Sequence, residues 1–170
     1  LIAPDTENDN VAIGYAALGG AIAGGECNVA IGNYSLDAKT SCGVNTAIGH
    51  NSLSANTTGN YNTAVGYEAL NGNTTGVENT AIGNGALKLN TTGGYNTAIG
   101  RISLNQNISG QLNTAIGYNA LLFNTTGTSN TAIGLNALPN NTTASYNTAI
   151  GQGAIYDANR TADTDGYNTA

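Results

Sequence analysis

Residues 113–129 read NTAIGYNALLFNTTGTS, and the same pattern begins again at Asn130. Its opening asparagine recurs every 17 residues from Asn28 to Asn147. A fixed period of this length is typical of a solenoid, in which each repeat forms one coil and neighbouring coils stack. Short alternating strands recur and helical periodicity is absent. The pattern therefore predicts an all-β protein, a parallel β-solenoid (β-roll) of about nine 17-residue coils.

The repeats run along the whole chain, and the composition does not change between its parts. We interpret residues 1–170 as a single repeat array, with an irregular first coil at 1–27, regular coils at 28–146 and a last coil with an insert at 147–170. The sequence starts shortly before the first unit and stops three residues into another. We therefore expect it to be an excerpt of a longer polypeptide.

The composition indicates a narrow interior, because the chain has 24 Gly, no Trp, no Met and only 8% charged residues. Two columns of larger apolar residues run through the repeats, and we expect both to form the core. The first comprises Ile48, Val65, Ile82, Ile99, Ile116 and Ile133, and the second comprises Leu53, Leu70, Leu87, Leu104, Leu121 and Leu138.

Side chains alternate along a strand, so Thr63 and Val65 point to one side while Asn62 and Ala64 point to the other. With isoleucine inside, the small alanines would form a stripe that a second subunit can approach closely. The alternative is that alanine faces inward and threonine faces water. The first arrangement predicts a subunit interface at Ala47, Ala64, Ala81, Ala98, Ala115 and Ala132.

Glycine and asparagine mark the corners of each coil. Gly66 and its equivalents end each strand, where a turn needs a residue without a side chain. Asn-Thr-Thr-Gly segments, such as 56–59 and 124–127, form a second corner. We expect stacked asparagines to bond to one another as amide ladders, which pair polar groups that tight turns would otherwise bury.

The sequence lacks the residue patterns that several classes of function require. A net charge of −6 with four basic residues argues against nucleic acid as a partner, and no apolar run is long enough for membrane insertion. The one histidine, His50, has no nucleophile motif beside it and reads as a variable surface position. The carboxylates are scattered. We expect no enzyme activity, no catalytic residues and no cofactor.

Two minor sites stay open. Cys27 and Cys42 are an even pair but lie 15 residues apart in a 17-residue register, so a disulfide is geometrically marginal and free thiols are the alternative. Asp157, Asp163 and Asp165 in the last insert are weak calcium candidates, and a solvated loop is the better interpretation. The Asn-Thr-Thr triplets match the glycosylation sequon as a by-product of the repeat.

The strand Asn-Val-Ala-Ile-Gly, at residues 10–14 and 28–32, resembles the head repeats of trimeric autotransporter adhesins. The unit at 113–127 is even more similar to repeats of phage tail-fibre and virion structural proteins. The 17-residue period departs from the shorter unit usual in autotransporter heads. The closeness of the repeat wording favours the phage fibre over the bacterial adhesin. The resemblance implies a left-handed roll in a homotrimer, an extracellular place on a virion fibre or bacterial cell surface, and attachment to a host receptor or glycan.

A second hypothesis belongs to another class. Regular solenoids can display evenly spaced threonines to ice, and this chain carries a threonine once per repeat from Thr46 to Thr148. Each strand offers one such threonine beside an isoleucine, rather than two threonines on the same face, which argues against ice binding. Ice binding is therefore the alternative to a structural and adhesive fibre.

Overall fold

The structure, a computed structural model, describes residues 9–20, 25–38, 41, 43–156 and 169–170. Within these residues the chain forms nine β-strands of three residues each and no helix. The strands are β1 (Val11–Ile13), β2 (Val29–Ile31), β3 (Thr46–Ile48), β4 (Thr63–Val65), β5 (Thr80–Ile82), β6 (Thr97–Ile99), β7 (Thr114–Ile116), β8 (Thr131–Ile133) and β9 (Thr148–Ile150).

All nine strands form one parallel sheet in sequence order. Each strand pairs in register with the equivalent strand of the next coil, so that Thr80 lies beside Thr97 and Ala81 beside Ala98. Beyond β9, Thr169 forms a parallel bridge with Thr148. The predicted all-β parallel solenoid with about 17 residues per turn is confirmed.

The side of each strand that faces the interior is the opposite of the expected one. Ala64 is fully buried, whereas Thr63 and Val65 are only partly buried. The expected isoleucine core column is wrong, because Ile48, Val65, Ile82, Ile99, Ile116 and Ile133 face outward. The expected alanine interface is also wrong, because Ala47, Ala64, Ala81, Ala98, Ala115 and Ala132 are fully buried within the chain itself.

The opening asparagine explains this outcome. Asn62 lies two residues before Ala64, so strand alternation places both on the same side. The Asn62 side chain is buried and bonds to main-chain groups inside the coil. Because the asparagine faces inward, the alanine two residues later also faces inward, and the threonine and isoleucine face outward.

The leucine column lies where the repeat predicted. Leu53, Leu70, Leu87, Leu104, Leu121 and Leu138 are fully buried and pack with the alanines in one continuous core. Each adopts a left-handed backbone conformation, as at Leu70 with φ of 53°, which is uncommon for a residue with a side chain. The amide of Leu70 donates to the carbonyl of Ala86 at 2.9 Å. Bonds of this kind to the next coil offset the cost of the turn.

Two asparagine ladders run through the interior, which confirms the expected amide stacking. In the first, Asn79 Oδ1 accepts from the backbone N and the Nδ2 of Asn96, both at 3.1 Å. In the second, Asn90 Nδ2 donates to Asn73 Oδ1 at 2.8 Å. Asn79 Nδ2 and Asn90 Nδ2 both donate to the carbonyl of Gly93 at 2.9 Å. The ladders therefore meet at one glycine in each coil.

Glycine is required at the end of each strand. Gly66 has φ of 135°, a conformation that disfavours side chains. A Cβ at this position would lie 2.6 Å from the carbonyl oxygen of Gly83 in the next coil. Any side chain here would push adjacent coils apart.

The inward alanine gives the first testable prediction. Replacing Ala98 by Leu should lower the free energy of unfolding by about 1–3 kcal/mol, because the extra atoms have no space inside the closed coil. Thermal and denaturant unfolding followed by circular dichroism measures this change. Ile99→Phe adds the same number of heavy atoms on the outer side and should leave the unfolding midpoint of a monomer nearly unchanged. Equal effects of the two substitutions would contradict the assignment of the strand faces.

The ladder gives the second prediction. Asn79→Ala removes the acceptor of the Asn96 backbone N–H and one of the two donors to the Gly93 carbonyl, which leaves the buried Asn96 N–H unpaired at a cost of about 1–3 kcal/mol. We expect a large loss of unfolding free energy in denaturant titrations. Asn84→Ala, at an exposed position, is the matched control and should cost little. A ladder variant as stable as this control would show that the amide bonds do not hold the coils together.

Candidate functional site

The outer side of the sheet is the most regular surface of the described chain. We call it the Thr/Ile face, and it consists of the first and third residues of β1 to β9, which are threonine or valine and isoleucine or valine. At one strand spacing of about 4.8 Å per coil, it is roughly 38 Å long. None of its residues is charged. It is therefore an extended surface without an ionic group.

The face combines two chemically different rows. The hydroxyl row runs without interruption from Thr46 to Thr148, and valine replaces threonine in β1 and β2. The apolar row is more open, with exposed fractions of 37% at Ile99 and 60% at Ile150. A long uncharged surface with exposed isoleucines is typical of an interaction site.

One border of the face carries a line of rings, which we call the aromatic edge and define as Tyr15, Tyr34, His50 and Tyr67. Neighbouring ring centroids lie 5.4, 5.8 and 5.6 Å apart along four successive coils. The first two contacts are edge-to-face, and the last is stacked with an interplanar angle of 11°. The rings therefore form a continuous line parallel to the solenoid axis.

The same border continues with polar groups. Asn84 and Arg101 follow the next two strand glycines and are exposed. The Arg101 guanidinium carbon lies 5.4 Å from the ring centroid of Tyr118 on the following coil, within the range of a cation–π contact. Donors and acceptors thus extend the line of rings.

An ion pair lies next to the aromatic edge. Lys88 Nζ lies 2.6 Å from Glu68 Oε2. The hydrogen bond from Lys88 lowers the pKa of the Glu68 carboxyl and exceeds the opposing effect of desolvation, and the Lys88 charge, Tyr67 and His50 lower this pKa by smaller amounts. The two charges therefore neutralise each other beside Tyr67.

The opposite border of the face is different. Tyr61 and Tyr95 are exposed there, but Glu78 occupies the coil between them and Leu112 the coil after. A shallow open depression is lined by Tyr61 and Glu78. The aromatic residues on this border are separated by one full coil, so they do not form a line of adjacent rings.

The structure places His50 within the aromatic edge, whereas the sequence indicated an isolated variable position. The missed signal is the recurrence of an aromatic residue one or two positions after the strand glycine in the first four repeats, as at Tyr15 and Tyr34. Rings at neighbouring positions of stacked coils come into contact, which no single repeat reveals.

The structure describes only some of the other candidate residues that the sequence indicated. Cys27 is exposed, but Cys42 lies outside the described residues, as do Asp157, Asp163 and Asp165. The disulfide and the calcium site therefore stay predictions. The sequon asparagines Asn56, Asn73, Asn90, Asn124 and Asn141 are fully buried in the second ladder. A glycan on these amides is incompatible with the folded coil.

The described part of the chain holds neither a metal-binding cluster nor a membrane-spanning helix. No cluster of three or more His, Cys, Asp or Glu residues is arranged to hold a metal ion there. The same residues include no helix with the length and apolar character needed to cross a membrane. Comparison with family models, curated proteins and solved structures gives no match to this chain.

The ion pair generates a pH prediction. Because the Glu68 pKa is lowered by folding, its contribution to stability is present above the ordinary carboxyl pKa and is lost as the pH falls through the folded-state value. Glu68→Gln should therefore be slightly less stable than the parent at neutral pH and equal to it in acid. The effect should be small and weaken in salt, because the pair is partly exposed.

Unfolding curves of both proteins at several pH values measure this difference. Glu78→Gln is the matched control, since Glu78 has no ion-pair partner among the described residues. A stability difference for Glu68→Gln that persists at low pH would contradict the ion-pair explanation.

Proposed function

We propose that this chain is a structural and adhesive segment of a trimeric extracellular fibre, a left-handed roll of a phage tail fibre that takes part in host attachment. The observation that supports this proposal is the Thr/Ile face, a long uncharged surface with exposed isoleucines. In this proposal the chain has no enzyme activity. Its role is to hold copies together and to present the remaining surfaces to a host.

The stacked coils suit a fibre because each adds a fixed length. The in-register strands and the two amide ladders repeat the same contacts from coil to coil. Length therefore depends on the number of repeats, at about 4.8 Å for each. A rod of this kind can act as a stiff spacer.

The Thr/Ile face replaces the alanine stripe as the surface for self-association. Burying an isoleucine completely contributes about 1.5–3 kcal/mol, so covering the roughly one-third that stays exposed contributes about 0.5–1 kcal/mol per coil. Over nine coils this sum reaches several kcal/mol, which offsets much of the cost of association. Copies also share one period, so their rows match along the whole length.

The choice of a phage fibre rests on the resemblance of the repeat at 113–127 to virion fibre repeats. The head of a bacterial trimeric autotransporter adhesin is the alternative source within this proposal.

Ice binding is the second candidate, supported by the uninterrupted hydroxyl row from Thr46 to Thr148. The row is in register on every coil, and a parallel row of methyl groups lies beside it. Ice and a second copy would occupy the same surface. The two functions are therefore mutually exclusive at this face.

Substitution in the middle of the face tests the proposal. Ile99→Glu should convert a trimer into folded monomers, because association would bury a carboxylate among apolar side chains. Native mass spectrometry and sedimentation velocity measure the mass, and circular dichroism checks the fold. Leu89→Glu is the matched control, since Leu89 is an exposed apolar residue away from the strands, and it should leave the trimer intact.

The parent protein itself separates the alternatives. A concentration-independent monomer that shows thermal hysteresis would replace the fibre with the ice-binding function, and Thr97→Val should then reduce the hysteresis. A monomer without hysteresis would overturn both candidates.

A further inference from the structure

We propose that the aromatic edge binds a linear, neutral polysaccharide that lies along the solenoid axis. The proposal rests on the adhesive function given above and names the chemistry of the partner. Its starting point is the line formed by Tyr15, Tyr34, His50 and Tyr67 on successive coils.

The rings are available to a ligand. Tyr15, Tyr34 and Tyr67 expose 69%, 39% and 49% of their surface, and His50 is exposed as well. Their contacts with one another fix their spacing and leave these fractions of the side chains exposed. Aromatic side chains that combine an apolar ring with a polar tip are suited to ligands that are apolar on one side and polar on the other.

Sugar rings have this two-sided chemistry. Their C–H groups pack against aromatic rings, and their hydroxyl groups bond to the phenol oxygens and the imidazole nitrogens at the rims. The exposed Asn84 and Arg101 continue the same line with amide and guanidinium donors. The line therefore consists of four ring surfaces followed by two hydrogen-bonding side chains.

The shape of the edge indicates a polymer rather than a small molecule. The rings form an open line with no enclosing walls, whereas small ligands are usually held in concave pockets. A short ligand would contact one or two rings only. A linear polysaccharide repeats a six-membered ring on a length scale similar to the 5.4–5.8 Å ring spacing, so several contacts form on one chain and reinforce each other.

Charge indicates a neutral polymer. The chain carries a net charge of −6, which disfavours an anionic polysaccharide at long range. At the edge, Glu68 and Lys88 neutralise each other and leave Arg101 as an isolated positive charge. Lys88 and Arg101, the basic residues that the structure describes, do not form a cluster that compensates for the overall acidity.

The test uses the full chain and soluble hexasaccharides of stated composition: cellohexaose, chitohexaose and mannohexaose, with alginate as the anionic comparison. Isothermal titration calorimetry should show binding of at least one neutral hexasaccharide, weaker binding of its trisaccharide, and no binding of alginate. Tyr67→Ala should weaken binding roughly two- to tenfold through loss of one ring contact. Asn84→Tyr should strengthen it, because it adds a fifth ring to the line.

Tyr95→Ala is the matched control, since Tyr95 exposes 48% of its surface on the opposite border, and it should bind like the parent. No binding of any neutral hexasaccharide, or equal weakening by Tyr67→Ala and Tyr95→Ala, would overturn the proposal. A change of oligomer mass in Tyr67→Ala without polysaccharide binding would show that a second copy covers the edge.

Measuring the oligomer mass on the same samples separates this proposal from fibre assembly. Binding that survives in Ile99→Glu monomers supports the polysaccharide site independently of the trimer. A monomeric parent that still binds the hexasaccharide would remove the fibre function and leave the site in place.

Discussion

The amide ladder formed by the first asparagine of each repeat determines the rest of the structure. An asparagine side chain buried in a narrow interior must have partners for its oxygen and its amide group. Here the oxygen accepts from the next asparagine, and the amide group donates back to the ladder and to a glycine carbonyl, as at Asn79 and Gly93. These bonds form only when coils stack in register. The ladder therefore sets the spacing of the coils and the direction in which each strand faces.

The coil is costly by itself and stable only in a stack. In a regular repeat without glycine at these positions, three residues adopt left-handed backbone conformations, which side chains disfavour. In one such repeat they are Glu68, Leu70 and Glu78. Their amides donate to carbonyls of neighbouring coils at 2.9–3.0 Å. Each coil thus depends on its neighbours, as expected for a quasi-one-dimensional protein. The same dependence keeps the outer surface regular over many repeats.

The inward and outward positions of the repeat differ in how many residue types they contain. Inward positions admit few residue types, namely asparagine, alanine, serine and leucine. The positions just after the strand glycine are free to vary, and they carry tyrosine, histidine, asparagine, arginine and leucine in different coils. Variation is concentrated at the edges of the Thr/Ile face, where exposed side chains differ from coil to coil while the coil itself stays the same. The aromatic edge is one product of that freedom.

The sequence by itself determined the period, the all-β parallel solenoid, the leucine core, the glycine corners and the existence of amide ladders. These follow from the repeat, because residues at equivalent positions of identical coils must stack on one another. Alternation also showed that Ala64 lies opposite Val65, but it could not show which side faces inward. Only the tertiary structure decided that, by burying the Asn62 side chain, whose Nδ2 donates to the Gly76 carbonyl and whose Oδ1 accepts from the Asn79 backbone N. It likewise decided that His50 lies between two tyrosine rings, since contacts between coils depend on side-chain directions in three dimensions.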